Sequence, residues 1–392
     1  MISENIASVF KKNNEEIQSL NGLRAIAILF VIITHTAEIF DNSNYQINTI
    51  VRDVLYNLRS GVDLFFILSG FLISGGLYNS FKKHGKINFK NFYIKRSLRI
   101  FPAFYIFLIL TFVAAKVQIT FIPIDNSLRE ELTIKLAALF YDFIYIANYI
   151  ISYHPHTWTL ALEEQFYIIF PLFASIFLFK LNFRSRLAAY AVLYTIPLLF
   201  RILVHFSFLS SPSELYLLFR PFHLRYDGFI LGICIMDVYY NTKVIQNILP
   251  RNFVLINIFT FVFFTAGHLK NFYNSIDFHF MIPFQVNLYQ AAYALIFITA
   301  LNGKNRVADF LKLRFFTPIA RVSYGMYLWQ FIALMLAGFV FVLYDSNIQH
   351  KINLLVYILM HILTIIISFL IAFFFYVFTE RPFLLLKKRL TR

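Results

Sequence analysis

Long uninterrupted blocks of hydrophobic residues alternate with short polar segments along this chain. Each block has about the length that a helix needs to cross a bilayer, which is about 17 to 25 residues. The ten blocks lie at about 21–40, 61–80, 100–120, 164–180, 187–207, 222–240, 252–268, 286–302, 322–344 and 352–378. The pattern therefore predicts an all-α fold, a polytopic membrane helical bundle of about ten transmembrane helices with short loops.

One further apolar segment, at 136–151, is short for a full crossing, so we predict that it is re-entrant or interfacial. The first block is preceded by polar residues and is followed by no small-residue cleavage site, which predicts a retained anchor and not a signal peptide. We therefore divide the chain into an N-terminal tail at 1–20, a transmembrane domain at 21–380 and a basic tail at 381–392.

The composition is that of a membrane protein. Hydrophobic residues make up 59% of the chain and charged residues only 14%, whereas soluble domains carry roughly 25% charged residues. The net charge of +15 would suit nucleic acid, but the basic residues lie in short loops between apolar blocks, so we predict no nucleic-acid partner. The single cysteine, Cys234, excludes a disulfide framework and a paired-cysteine metal site, and we expect no metal.

The distribution of lysine and arginine predicts the orientation, because cytoplasmic loops carry an excess of both residues. With both termini inside, the inner segments hold 24 of the 35 basic residues and the outer loops hold eight. The predicted inner loop 82–99 holds seven of them, and the predicted outer loop 268–285 holds one. This alternation requires an even number of spans, so segment 136–151 should not cross.

Arg24 and His35 are ionisable residues inside the first apolar block. Arg24 and His35 are eleven residues apart, so a helix places them on one face, about 16 Å apart along its axis. Ionisable groups are costly inside a membrane and are functional candidates there. The alternatives are that Arg24 extends to the inner headgroups and that His35 only joins two helices by a hydrogen bond.

Charged residues also stand at the starts of two other blocks. Arg96 and Arg99 share a face at a helix start, which suits phosphate groups; the alternative is a charge cluster that only sets the topology. Glu163 and Glu164 are adjacent, so they point to different faces and at most one of them can face the interior of the bundle.

We assign structural roles to three further ionisable residues. Arg225 and Asp227 open the sixth block, and we predict that they neutralise each other or pair with neighbouring helices. Asp63 is a candidate partner for an arginine. It precedes a segment at 69–75 that is rich in glycine and serine, and such small residues let helices approach closely.

Seven short motifs occur in order along nearly the whole chain. They are LNGLRAIAILFVIITH, GVDLFFILSGFLISG, KRSLRIFPAFY, TWTLALEEQFY, LRYDGFILG, SYGMYLWQF and TERPF. This set resembles the bacterial membrane acyltransferase 3 family, the O-acetyltransferases of surface polysaccharides and related glycans. Two positions depart from the family pattern. Thr159 stands where the family usually has serine, and Gln330 where it often has histidine, so we assign no catalytic role to Gln330.

By this resemblance, Arg24 and His35 are the family's key pair, Arg96 and Arg99 its donor-associated arginines, and Glu163 its essential acidic residue. The resemblance implies an O-acyltransferase that moves an acyl group, expected to be acetyl, from a cytoplasmic acyl-CoA. The acceptor would be a hydroxyl of a cell-surface glycan or of a lipid-linked saccharide. The expected location is the bacterial cytoplasmic (inner) membrane, in contact with lipid and with both termini cytoplasmic. Some family members carry an appended periplasmic esterase-like domain, and the length of this chain predicts that it has none.

These residues define an expected reaction site. Arg96, Arg99 and Arg24 would hold acetyl-CoA at the inner mouth of a cavity. His35, at the outer level, would act as a general base or form an acyl-histidine. Glu163, expected within about 10 Å of His35 and opposite the arginines, would orient the imidazole or bind the acceptor.

Two other functions stay open at this stage. A glycan or lipid transporter would also use intramembrane arginine, histidine and glutamate as a charged relay, although no inverted repeat of the transporter kind is visible. A non-catalytic scaffold in a polysaccharide assembly complex is the other alternative. The sequence leaves the oligomeric state open.

Overall fold

The fold is that of a computed structural model, which describes residues 2–13, 16–40, 48–207, 219–268, 279–344 and 354–390. These residues form helices, turns and loops, and none of them is in a strand. The first part of the chain contains α1 (Ile2–Phe10), α2 (Gln18–Phe40), α3 (Thr49–Asn57), α4 (Gly61–His84), α5 (Phe89–Phe121), α6 (Asn126–Phe143), α7 (Trp158–Ile176) and α8 (Phe183–Ser207).

The second part of the chain is also helical. It contains α9 (Phe222–Arg225), α10 (Asp227–Asn241), α11 (Val244–Arg251), α12 (Phe253–His268), α13 (Gln285–Asn302), α14 (Arg306–Leu311), α15 (Phe316–Tyr344), α16 (Leu354–Phe375) and α17 (Arg381–Leu390). A π-helical turn at Tyr376–Glu380 joins α16 to α17.

Within the described part of the chain, eight helical segments are long and apolar enough to cross a membrane. They coincide with eight of the ten predicted blocks, which confirms the all-α membrane fold. The other two blocks, at 222–240 and 252–268, correspond to shorter helices, since α10 has 15 residues and α12 has 16. α6, which ends inside the segment 136–151, is not among the eight.

Parts of several predicted features lie outside the described residues. These are residues 1 and 14–15 of the N-terminal tail, residues 269–278 of the loop 268–285, the start of the tenth block at 352–353, and residues 391–392 of the basic tail. Side-chain caps fix several of the described helix starts, because an oxygen before the helix satisfies an amide of the first turn. Asn88 accepts from the amide of Asn91 at 3.0 Å, and Asp125 accepts from that of Leu128 at 2.8 Å.

One compact unit comprises residues 1–72 and 228–378. α15 packs against both α2 and α16, and α13 packs against α12. A Cβ atom on Gly70 would lie 2.2 Å from the carbonyl oxygen of Phe229, and one on Gly232 would lie 2.1 Å from that of Ile67. Glycine therefore lets α4 and α10 approach closely, as predicted for the small residues of α4.

The second compact unit comprises residues 73–227 and 379–392. α5 packs against α6 and against α17, and α8 packs against α9. Large apolar side chains of this unit are exposed, including Ile109, Ile168 and Val192, which are 52%, 58% and 59% exposed. Such side chains suit contact with lipid, because hydrocarbon imposes no cost on exposed apolar surface.

Candidate active site

His35 contacts a side chain that is distant in sequence. Its Nδ1 lies 2.8 Å from Oε1 of Gln330 on α15. Gln330 is 1% exposed, and its Nε2 donates to the carbonyl oxygen of Tyr327 at 2.9 Å. The ring of Phe331 lies 4.9 Å from the imidazole, between centroids. His35 is half-buried, so its imidazole is held at the junction of α2 and α15.

Arg24 lies three turns before His35 on α2, within a network of polar side chains. It donates to Oδ1 of Asn21 at 3.3 Å, Asn21 donates to Glu16 at 3.0 Å, and Arg321 forms an ion pair with Glu16 at 3.2 Å. Burial acts to raise the pKa of Glu16, but the hydrogen bond from Asn21 and the charges of Arg321 and Arg24 outweigh it and hold the pKa below its usual value. Glu16 is therefore a carboxylate that compensates these two arginines at neutral pH.

In the second unit, Arg96 and Glu163 belong to one cluster. The Arg96 guanidinium lies 5.4 Å from the centroid of the Tyr167 ring, and the Tyr167 hydroxyl donates to Glu163 at 3.0 Å. Glu163 and Glu164 also lie near Arg96. Arg96 and Glu163 therefore lie close together, and not at the opposite ends of a cavity as we expected.

The two adjacent glutamates differ in burial because successive helical residues point in different directions. Glu164 is 8% exposed, whereas Glu163 is half-buried. Glu164 lies near Tyr105 and Tyr145. Glu164, for which we predicted no role, is thus the more buried carboxylate of the pair.

Arg99 faces a different environment from Arg96. It is exposed, and its charge acts on Glu380 and Lys387. α17 packs on α5, so the segment predicted as a basic tail adds Lys387 to the group of Lys95, Arg96 and Arg99. This group concentrates positive charge at one end of α5.

A buried turn precedes α7. Thr157 donates to Asp142, and Nε2 of His154 lies 3.2 Å from the Thr111 hydroxyl. Burial raises the pKa of Asp142 to about 6 and lowers the pKa of His154 to about 3. His154 is therefore neutral at physiological pH, and the hydrogen bonds of this turn fix the start of the helix that carries Glu163.

The residues predicted to be structural have clear partners. Arg201 and Asp227 form an ion pair at 2.7 Å, and both side chains are 0% exposed, so Asp227 pairs with a neighbouring helix. Arg225 lies over the ring of Trp158, 5.8 Å from its centroid. In the first unit, Asp63 accepts a hydrogen bond from Gln290 at 3.0 Å.

A buried network in the first unit was not anticipated from the sequence. The Ser60 hydroxyl lies 2.7 Å from Nε2 of His268 and 2.7 Å from the Tyr293 hydroxyl. The three residues are each about 1% exposed, so they join three helical segments within the interior. Among the residues that the structure describes, no group of three histidine, cysteine or acidic side chains could hold a metal ion.

With this geometry established, comparison with known proteins assigns the chain to a family. A family model described as an acyltransferase domain, of the acyltransferase 3 type, matches residues 17–373. The chain belongs to the acyltransferase 3 family. Together with its apolar helices, this makes it a multi-pass membrane protein.

Two relatives of this acyltransferase 3 chain come from Staphylococcus aureus. One, from strain COL, is provisionally named an O-acetyltransferase and is 28% identical over 337 residues, which cover 82% of this chain and 51% of that protein. The other, O-acetyltransferase OatA of strain NCTC 8325, is 26% identical over 363 residues, which cover 87% of this chain and 53% of OatA. The chain thus spans about half the length of the curated relatives it matches. No solved structure matches it.

Most of the residues in this candidate site lie in the acyltransferase 3 motifs. Gln330 stands in the motif SYGMYLWQF and Tyr167 in TWTLALEEQFY. Neither the spacing nor the residue type indicated that these side chains would contact His35 and Glu163. The signal available in the sequence was a polar residue inside an apolar block, which is costly unless it is hydrogen-bonded.

Proposed function

We propose that the chain transfers an acyl group, expected to be acetyl, from a cytoplasmic acyl-CoA to a hydroxyl of a cell-surface glycan or a lipid-linked saccharide. Membership of the acyltransferase 3 family supports acyl transfer over transport. The names of the Staphylococcus aureus relatives, which describe O-acetyltransferases, support an oxygen acceptor. The acceptor class and the donor rest on the family resemblance of the site motifs.

The observation that carries this proposal is the imidazole of His35, held by Gln330 within a membrane-spanning helix. In direct transfer, His35 takes the proton of the acceptor hydroxyl, whose oxygen attacks the thioester carbonyl. The carbon–sulfur bond then breaks, and the departing thiolate receives a proton to give free CoA. In the alternative, the imidazole itself attacks the thioester, the carbon–sulfur bond breaks, and the thiolate leaves as CoA with the imidazole proton. The acceptor hydroxyl then attacks the acyl-histidine, and the released imidazole takes the hydroxyl proton.

The basic group on α5 would hold the donor. Arg96 and Arg99 would contact its phosphates, and Arg24 would contact the donor as its acyl arm enters the bundle. Glu163 would orient the imidazole or bind the acceptor. Its link to Arg96 through Tyr167 supports a further role, in which it fixes the arginine for donor binding.

Arg96→Ala and Arg99→Ala are each expected to raise the KM for acetyl-CoA by about tenfold or more, because hydrogen bonds to charged groups contribute about 1.5–3 kcal/mol. The KM for the acceptor should change little. Steady-state kinetics with each substrate varied in turn would measure both values. Lys90→Ala is the matched control, since Lys90 is an exposed basic residue on the same helix. Equal effects of all three substitutions would mean that the arginines only set the membrane topology and do not bind the donor.

The proposed orientation places both termini and the loop 82–99 in the cytoplasm. If α10 and α12 both cross the membrane, or if neither of them crosses it, each of the other loops lies on the same side of the membrane. In a Cys234→Ala background, an impermeant thiol reagent applied to whole cells should label Asn126→Cys but not Ser80→Cys, because the two sites flank α5. Ser80→Cys should react only after permeabilisation. The reverse pattern would overturn the orientation and the cytoplasmic donor together.

The full-length protein in lipid nanodiscs, incubated with labelled acetyl-CoA and a candidate acceptor, tests the function directly. Release of CoA in step with labelled acceptor is expected. Movement of an unmodified glycan or lipid across proteoliposomes, without covalent transfer, would indicate a transporter. Mass spectrometry of surface glycans from cells with and without the gene would identify the acceptor.

A further inference from the structure

The partner of His35 is an amide whose orientation is fixed by its own environment. Gln330 is 1% exposed, so its polar atoms depend on protein partners. Nε2 of Gln330 faces the carbonyl oxygen of Tyr327 at 2.9 Å, and Oε1 faces Nδ1 of His35 at 2.8 Å.

These two contacts determine where the histidine proton lies. The carbonyl oxygen of Tyr327 can only accept a hydrogen bond, so the amide group facing it must be the donating NH₂. The opposite amide orientation would place two oxygens against each other. Oε1 of Gln330 therefore faces His35, and because this oxygen can only accept, Nδ1 of His35 must carry the proton.

We infer that Gln330 is a positioning residue that holds His35 in the tautomer with the proton on Nδ1, so that Nε2 receives the proton of the acceptor hydroxyl. This inference rests on the proposed function for its catalytic consequence, but the tautomer itself does not. The nearby Phe331 ring, with its centroid 4.9 Å from that of the imidazole, restricts rotation of the imidazole about its side-chain bonds. Fixing the tautomer in this way selects the nitrogen that reacts.

The choice of a neutral amide has a further consequence. A carboxylate at this position would stabilise the protonated imidazolium by its charge, as the aspartate of a serine protease triad does. Glutamine fixes the same tautomer without adding that charge. A charged imidazolium is costly within a membrane, and glutamine adds no charge that would favour it.

The first test reads the tautomer without using activity. The full-length protein with ¹⁵N-labelled histidine rings, in lipid nanodiscs, would be examined by solid-state NMR, and His35→Ala would identify the His35 signals among those of the ten histidines. A protonated Nδ1 and an unprotonated Nε2 are expected in the wild-type protein. In Gln330→Met, which keeps the length of the side chain but cannot accept this hydrogen bond, the two tautomers should mix. A wild-type His35 protonated only on Nε2 would overturn the inference whether or not the protein transfers acetyl groups.

The second test is the pH dependence of transfer. Gln330→Met is expected to lower kcat by about 10- to 100-fold, as loss of an orienting partner of histidine does elsewhere. Gln330→Glu should move the acidic limb of the profile to higher pH, because the carboxylate favours the imidazolium and the base must be neutral. Gln290→Met, which removes another buried glutamine of the same unit, is the control and should leave the limb in place. If the acidic limb of the pH profile does not move in Gln330→Glu, the positioning role of Gln330 is contradicted. If His35 shows the expected tautomer but the protein transfers no acyl group, only the proposed function is contradicted.

Discussion

Replacing His35 by alanine is expected to lower the rate of acyl transfer by about 10²- to 10⁴-fold, the usual contribution of a positioned general base. The imidazole is the group that links the proposed chemistry to the structure, since it is held by a buried amide on α15. Its removal takes away either the base or the acyl carrier, so the loss should be large in both mechanisms. Assay of the purified variant with labelled acetyl-CoA would measure the effect.

The matched control is His361→Ala. His361 is also half-buried in a helix of the same unit, α16, and its Nδ1 contacts the backbone oxygen of Tyr357 at 2.8 Å. Because we assign it no chemical role, its variant should retain activity within a few-fold of wild type. Equal losses in both variants, or a His35→Ala protein that is normally expressed and active, would contradict the assignment of His35.

Arg201→Met is expected to destabilise the protein by about 3–5 kcal/mol, because it leaves a buried charge without its partner. Arg201 and Asp227 are 2.7 Å apart and both side chains are 0% exposed, and Arg201 also donates to the carbonyl oxygen of Leu224 at 2.5 Å. The free energy of unfolding in detergent would be compared for the wild type and the variant. The reciprocal variant, Asp227→Leu, should be destabilised by a similar amount.

The double variant Arg201→Met/Asp227→Leu should recover much of the lost stability, because replacing a buried ion pair by apolar residues is often neutral. The control is Lys135→Ala, which breaks an ion pair at 2.6 Å whose side chains are both 57% exposed. Exposed pairs contribute about 0–1 kcal/mol, so this variant should be nearly as stable as the wild type. Additive losses in the double variant would show that the two buried residues do not stabilise each other.

Whether a block becomes a full-length span depends on more than its apolar composition. Eight predicted blocks became long apolar helices, because a long apolar run satisfies its backbone hydrogen bonds only as a helix. Around the blocks at 222–240 and 252–268, the chain forms several shorter helices, α9 to α12. Composition alone could not show this, since it does not report where the chain turns.

Local periodicity also explains which site features were predictable. Arg24 and His35 share one helix, so their separation follows from helical geometry. The small residues of α4 indicated a close helix contact, and Gly70 lies at one, although only the tertiary structure showed that it faces the backbone of Phe229 on α10. In the same way, the sequence indicated that Asp227 needs a partner, and the structure identified Arg201, 26 residues away.

The sequence by itself thus determined eight of the membrane helices, the family and the residues with reactive side chains, because each of these depends on composition, helical period or local motif. Only the tertiary structure decided which of these side chains meet. Gln330 lies 295 residues from His35, and Arg96 reaches the cluster of Glu163 and Tyr167 on another helix. Apolar helix faces resemble one another closely, so helix pairing follows from the fit of whole surfaces, which no single motif records.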